Sequence, residues 1–342
     1  MAIDASQADQ VGPALLAYLR GRFGADGLRF TEAPEVIDSG WETYIYTFRL
    51  GGDAVDPAWT RPLIRRVYPG ADQGPRAEFD ASVQGFVAER GYPAPRVLAV
   101  ETDAGALGRP FLIMERAPGR TMLDRLASNP LTARNLTPLM AKAHVALHRL
   151  PAEGCPLPAH GTAVDRYLDD FRARIAGMGL TGTDEALGWL EAHKGMVVPE
   201  EVSLCHNDFH PQNIIVGDDK RPSVIDWSCA ALADRHCDIA STLVLMRTAP
   251  AQMRGLVGRL LDRFGRYTLV RRYLRSYRQQ LPIDNERLRY WEALQAFEWW
   301  LRIAVMQSFG SAARGIRPDA SQRLPKGQLE RLQRYFWQRA RR

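Results

Sequence analysis

The chain has 342 residues, 46% of them hydrophobic and 25% charged, which is enough apolar material for a sizeable core divided over two lobes. No apolar run reaches the roughly 18 residues that a membrane span needs, and Met1-Ala2-Ile3-Asp4-Ala5-Ser6 lacks the basic and apolar blocks of an export signal, so a cytoplasmic protein is expected. The formal charge of +6 raises nucleic acid as a partner, but Leu329, Leu332, Tyr335 and Phe336 recur at helical spacing through the arginine-rich end, which describes an amphipathic helix with a solvated basic face.

In chain order, residues 9–22 read as a helix, and Pro34–Asp38 and the aromatic, β-branched run Thr43–Leu50 read as strands. Between them Ser39-Gly40-Trp41-Glu42 forms a turn that suits either an ordinary hairpin or a nucleotide-covering loop. Pro62–Tyr68 is the next strand. Arg65 and Arg66 are successive on it and face opposite sides, which leaves open which one turns inward. Phe79, Val83, Phe86 and Val87 mark a helix over 76–90 with Glu78 on its first turn. Pro110–Gly119 is an apolar strand closed by a Pro/Gly break, where a hinge would fall. Beyond it the pattern turns helical: Leu136, Leu139, Met140, Ala143, Leu147 and Leu150 share one face of a helix opened by Asn135 or Thr137, and helices over 162–176 and 183–194 follow. His144 and His148 read as packing or surface histidines, since no carboxylate lies nearby in the sequence.

The run His206-Asn207-Asp208-Phe209-His210-Pro211-Gln212-Asn213 sits between two apolar strand-like stretches, Val202–Cys205 and Ile214–Val216. A turn-rich segment then leads to Ser223-Val224-Ile225-Asp226-Trp227, so a hairpin would carry Asp226 alongside Asn213. Phosphoryl transfer needs a carboxylate to orient the attacking hydroxyl and further oxygen ligands to hold Mg²⁺ against the phosphates; Asp208, Asn213 and Asp226 fit these three jobs. Cys155, Cys205, Cys229 and Cys237 contain no C-x-x-C pair, and with His206, His210 and His236 they match no zinc spacing, so reduced structural thiols are expected.

This segment resembles the catalytic core of the aminoglycoside phosphotransferase and choline kinase-like family over about residues 30–245. The resemblance implies an α+β, bilobal, protein-kinase-like fold, with a small antiparallel-sheet lobe over 1–117 and a larger, mostly helical lobe over 118–342. It implies a small-molecule kinase using Mg²⁺ and ATP or GTP, with Asp208 as base, Asn213 and Asp226 as metal ligands, and His206 as a brace for the loop. It makes Gly40 part of the nucleotide-covering turn, Arg65 the phosphate-binding cation in place of the usual lysine, Glu78 its partner, and the backbone of Glu115, Arg116 and Ala117 the purine contact. Asp238, the cap of the next helix, would stabilise the catalytic loop.

The last hundred residues interleave Tyr290, Trp291, Phe297, Trp299 and Trp300 with Glu286, Glu292 and Glu298. They suit either a helical core or an acceptor pocket in which carboxylates and aromatic faces would meet an aminoglycoside, a macrolide, choline or an amino sugar. Antibiotic modification and native metabolism both fit. The competing reading is a nucleotide-binding pseudokinase that regulates or scaffolds, motivated by the glycine-poor turn and the missing strand lysine.

Overall fold

Side-chain alternation along one strand organises the N-terminal part of the molecule. The computed structural model describes residues 8–37, 42–52, 56–103, 107–158, 161–199, 201–249 and 255–341; Gly40 lies outside them. The chain divides into two units, Met1–Pro118 with Phe309–Arg323, and Gly119–Ser308 with Leu324–Arg342. The return of 309–323 to the first unit is absent from the sequence reading.

Among the described residues the first unit holds helix α1 (Ala8–Phe23), strands β1 (Arg29–Ile37), β2 (Tyr44–Gly51) and β3 (Pro62–Val67), helix α2 (Gly74–Glu89), and strands β4 (Val97–Glu101) and β5 (Phe111–Glu115). The strands form one antiparallel sheet in the order β1-β2-β3-β5-β4. In β3, Leu63 and Val67 join a core with Val11, Leu15 and Leu19 of α1 and Phe48 of β2, while Ile64 and the following Tyr68 join a second core with Ala77 of α2 and Leu112 and Met114 of β5. The sheet is therefore buried on both faces, which explains why β3 and β5 lack a polar alternation. The returning segment docks here: Gln73 donates to the Gly315 carbonyl, and the Arg317 guanidinium lies 4.9 Å from the Tyr44 ring centroid.

The second unit continues with β6 (Arg120–Thr121), α3 (Met122–Ser128), α4 (Ala133–His148), α5 (Ala163–Met178), α6 (Asp184–His193), β7 (Val202–Cys205), β8 (Ile214–Val216), β9 (Pro222–Val224), β10 (Ala231–Asp234), α7 (Arg235–Thr248), α8 (Gly255–Arg278), α9 (Asn285–Phe309) and α10 (Gln328–Ala340). α4 starts before both Asn135 and Thr137, at an N-cap position held by Thr132. Two small antiparallel sheets, β6-β8-β9 and β7-β10, lie among these helices. α10 buries Leu332, Tyr335 and Phe336, as its periodicity predicts. None of the described helices is long and apolar enough to cross a membrane.

Gly119 enters β6 at φ +112°, and a Cβ there would collide with the Val216 carbonyl oxygen; Gly179, which ends α5 at φ +58°, has nothing within 4 Å of a Cβ. Gly119→Ala is therefore expected to cost about 3 kcal/mol or more, through both strain and collision. Gly179→Ala should cost only about 1 kcal/mol, for the left-handed backbone alone. Chemical denaturation of the two variants side by side checks the difference.

Candidate active site

The loop between β7 and β8 links two different sheets, so its position depends on what holds its backbone. α7 supplies that hold. The Asp238 carboxylate accepts the N–H of His206 (2.6 Å) and of Asn207 (2.8 Å), Ser241 Oγ donates to the Asn207 carbonyl (2.5 Å), and Thr242 Oγ1 donates to the Phe209 carbonyl (2.8 Å). The expected capping role belongs elsewhere: Asp234 caps α7 by accepting the His236 N–H, while Asp238 sits within the first turn and faces the loop. Ser241 and Thr242 were missed by the sequence reading; their spacing of three and four from Asp238 is the signal that they share its helix face.

His206 braces the loop from the other side. Its Nδ1 accepts the Asp208 N–H (3.3 Å) and its Nε2 donates to the Ile225 carbonyl (3.0 Å), so the ring is neutral, in keeping with burial that lowers its pKa. The hairpin then does what its sequence implies. Ile214 pairs with Val224, and the Ile225 N–H donates to the Asn213 carbonyl (3.0 Å), which sets Asn213 beside the stretch that carries Asp226.

Asn213 Nδ2 donates to both Asp208 Oδ2 (2.7 Å) and the Asp208 carbonyl (3.0 Å), which commits the amide nitrogen and leaves its oxygen as the metal-suited atom. Asp226 Oδ1 accepts from Ser228 Oγ at 2.9 Å. Asp226 and Asn207 hold left-handed backbones, φ +65° and +57°, strained positions for non-glycine residues of the kind that cluster at functional sites. His210, which the sequence pattern gives no role of its own, places Nε2 3.4 Å from Asp208 Oδ1. Burial alone would lower its pKa, but Asp208 and then Asp226 outweigh that and raise it, which locates both carboxylates in one electrostatic neighbourhood.

In the first unit the pairing of strand cation and helix carboxylate differs from the expected one. Arg65 points to the α1 side of the sheet, 4.5 Å from the Phe111 centroid, with its pKa lowered to about 10 by burial and its Nε without a hydrogen-bond partner. Arg66 points to the α2 side, where it meets Asp80 Oδ2 (3.4 Å), donates to Thr43 Oγ1 (3.0 Å) and lies 5.7 Å from the Tyr68 ring centroid. Glu78 is exposed and does not meet Arg65. The structure thus brings together Arg66 and Asp80, not Arg65 and Glu78. The signal was available: Ile64, Arg66 and Tyr68 share one strand face, and Asp80 stands three residues after Ala77 on the helix turned toward it. In the expected purine run, the Glu115 N–H donates to the Arg96 carbonyl (3.0 Å) and the Arg116 N–H to the Pro62 carbonyl (2.9 Å), so both amides are committed within the sheet region.

Two carboxylates of α9, Glu292 and Glu298, are buried and compensated, while Glu286 in its first turn is exposed. Glu298 is held by Arg174 and Arg302, and Glu292 by Arg247, Arg339 and Tyr335. Burial alone would raise the Glu298 pKa, but its two guanidinium partners bring it down to about 2. Tyr290, Trp291 and Phe297 are wholly buried core residues, while Trp299 stands with Glu298, Arg302, Cys229 and Asn207 around a small cavity beside the loop.

The fold is protein-kinase-like. The chain belongs to the phosphotransferase enzyme family, whose model matches residues 34–277. It is 25% identical over 328 residues, 90% of its length, to mouse (Mus musculus) acyl-CoA dehydrogenase family member 10, and spans 29% of that protein; the chain thus spans under a third of the length of the curated relatives it matches. A thermostable mutant of aminoglycoside phosphotransferase APH(4)-Ia, solved as a ternary complex with ADP and hygromycin B, has a similar structure (TM-score 0.62, 18% identity, 94% of this chain and 98% of that one). Choline kinase LicA from Streptococcus pneumoniae does too (TM-score 0.56, 11% identity, 95% and 98%).

Two expectations follow from the ion pairs. Asp80→Ala strands the buried Arg66 charge and should cost about 3–5 kcal/mol, whereas Glu78→Ala should stay within about 0.5 kcal/mol of the parent, as read by urea denaturation. Glu298 has a folded pKa of about 2, below its ordinary 4.5, so its stabilisation is complete above pH 4.5 and is lost as pH falls toward 2. The stability gap between the parent and Glu298→Gln should therefore be widest near neutrality and shrink by on the order of 3 kcal/mol across that window, measured by melting temperature against pH.

Proposed function

We propose that this chain transfers the γ-phosphoryl group of ATP or GTP to a hydroxyl group of a small acceptor, with Asp208 as base and Asn213 and Asp226 as the ligands of Mg²⁺. The observation that carries the reading is the 2.7 Å hydrogen bond from Asn213 to Asp208, in a loop whose backbone is pinned on both sides. Asp208 orients the acceptor hydroxyl and takes its proton as the new O–P bond forms. The donor set suits a hard cation: the Asn213 amide oxygen is left by the commitment of its nitrogen, and Asp226 supplies a carboxylate. When bound, Mg²⁺ would neutralise phosphate charge.

Arg66, held by Asp80, is the better candidate than Arg65 for the α- and β-phosphates, since a fixed guanidinium with a carboxylate partner matches the Lys–Glu pair of kinases. With the amides of Glu115 and Arg116 committed, Ala117 is the member of that run whose amide is left to meet a purine. The ADP and hygromycin B in the APH(4)-Ia complex support a nucleotide and a hydroxylated acceptor here.

For the acceptor, an aminoglycoside, macrolide, choline or amino sugar is one class. A second, a hydroxylated acyl-CoA thioester, is favoured by the relative named for acyl-CoA chemistry and by Glu292 and Glu298, whose arginine partners leave them poorly suited to draw ammonium groups. Mg-ATP turnover against a panel holding both classes separates them. Asp208→Ala should lose at least about 10³-fold of acceptor-stimulated turnover with ATP binding nearly kept, and Asp226→Ala should lose Mg-ATP binding as well. Parent-like turnover in Asp208→Ala would sink the mechanism, and silence of the parent across the panel despite Mg-ATP binding would favour a nucleotide-binding scaffold.

A further inference from the structure

Behind the loop lies a buried cluster that the reaction as described does not use. His144 and His148, one turn apart on α4, both direct Nε2 at Asp238 Oδ2, at 3.0 and 3.2 Å. Each offers its other ring nitrogen to a tyrosine of α8: His144 Nδ1 lies 2.7 Å from Tyr273 Oη and His148 Nδ1 lies 2.7 Å from Tyr277 Oη. The side chains of His144, His148 and Asp238 are wholly buried, and His144 stacks on Phe209 of the loop at a centroid distance of 4.0 Å.

Donor and acceptor counting fixes the protons. A carboxylate only accepts, so each Nε2 facing Asp238 carries the hydrogen, and each Nδ1 is then a bare acceptor for the tyrosine O–H. The His148 ring is neutral in this arrangement, in keeping with the burial that brings its pKa down to about 4. Only the His148 contact has hydrogen-bond alignment; the His144 Nε2 approaches without it. Asp238 Oδ2 thus serves the His206 N–H and His148 at once, while Oδ1 serves the Asn207 N–H.

We propose that His144 and His148, backed by Tyr273 and Tyr277, are positioning residues that hold the Asp238 carboxylate in the one orientation presenting both oxygens to the loop amides, and through it fix Asp208. An unclamped carboxylate can rotate about its terminal torsion and satisfy one amide at a time, which would free the two residues ahead of Asp208. That Asp208 is the base rests on the function proposed above; that the cluster orders the loop does not. The same three side chains have metal-compatible chemistry, since their ligand atoms lie within 4.8 Å of one another. A clamp accounts for both tautomers and for the two amide bonds without a metal.

The test uses the full chain with Mg-ATP as the probe, hydrogen exchange as the first readout and ATP hydrolysis as the second. His148→Phe should raise exchange in the peptide spanning 204–210 by at least about 10-fold, leave the β2–β3 peptides unchanged, and lower kcat by about 10–100-fold with KM for ATP within about twofold. His148→Gln, which keeps a donor near the Nε2 position, should recover most of both. Should His148→Phe fail to fold, Tyr277→Phe removes one hydroxyl without opening the core and should shift both readouts in the same direction by a few fold. Unchanged exchange, or lowered stability with parental kcat per folded molecule, would overturn the proposal. So would a stoichiometric divalent metal in the purified protein that His148→Phe loses. Exchange that rises as stated while Asp208→Ala keeps parental turnover would uphold the clamp and refute only the assignment of the base.

Discussion

The loop that carries Asp208 depends on one buried carboxylate. Asp238 takes the N–H groups of His206 and Asn207, and no regular secondary structure could do this work, because the strands on either side of the loop pair in different sheets. An ionised carboxylate without exposure carries a large desolvation cost. Here His144 and His148 outweigh that cost and hold the Asp238 pKa well below the usual range. The charge is retained because two loop amides and His148 donate to it with His144 close by, and the loop takes its position from the carboxylate.

What the sequence made legible was local. Asp208, Asn213 and Asp226 lie within nineteen residues, and strand, loop and hairpin rules suffice to predict their approach, which the bonds around Asn213 display. The strand cation was less legible because a choice between adjacent strand residues turns on which face meets which helix. The apolar neighbours of Arg65 and Arg66 did not decide it, since both faces of β3 are buried. The role of Asp238 toward the loop came through family resemblance, whereas the His–Tyr pairs behind it were out of reach: Tyr273 and His144 are 129 residues apart, and only the packing of α4 on α8 joins them.

Arginine does much of the electrostatic work inside this basic chain. Glu292 and Glu298 each draw two guanidinium groups, and Asp234 is bound by Arg287 as well as His236. A planar fork reaches a buried carboxylate with less loss of rotamer freedom per hydrogen bond than an ammonium would, which suits α9, where buried glutamates alternate with large aromatic rings. Part of the +6 charge therefore reflects internal compensation, and net charge is a poor guide to an anionic macromolecular partner.

The compensated Glu298 also lines a cavity beside the loop. The groups that hold the loop come from α4, α7 and the hairpin, whereas the cavity beside it is walled by Tyr167, Cys229, Gln295, Glu298, Trp299 and Arg302. Asn207 belongs to both sets: its backbone is fixed by Asp238 and Ser241, while its side chain donates to the Cys229 carbonyl at the cavity wall. Substitution at Trp299 would alter the shape of the cavity, and substitution at Arg302 its charge. A change at Asn207 reaches both loop and cavity, because its left-handed backbone and its cavity-side hydrogen bond belong to one residue. The support of the loop backbone and the wall of the cavity thereby meet at the position immediately before Asp208.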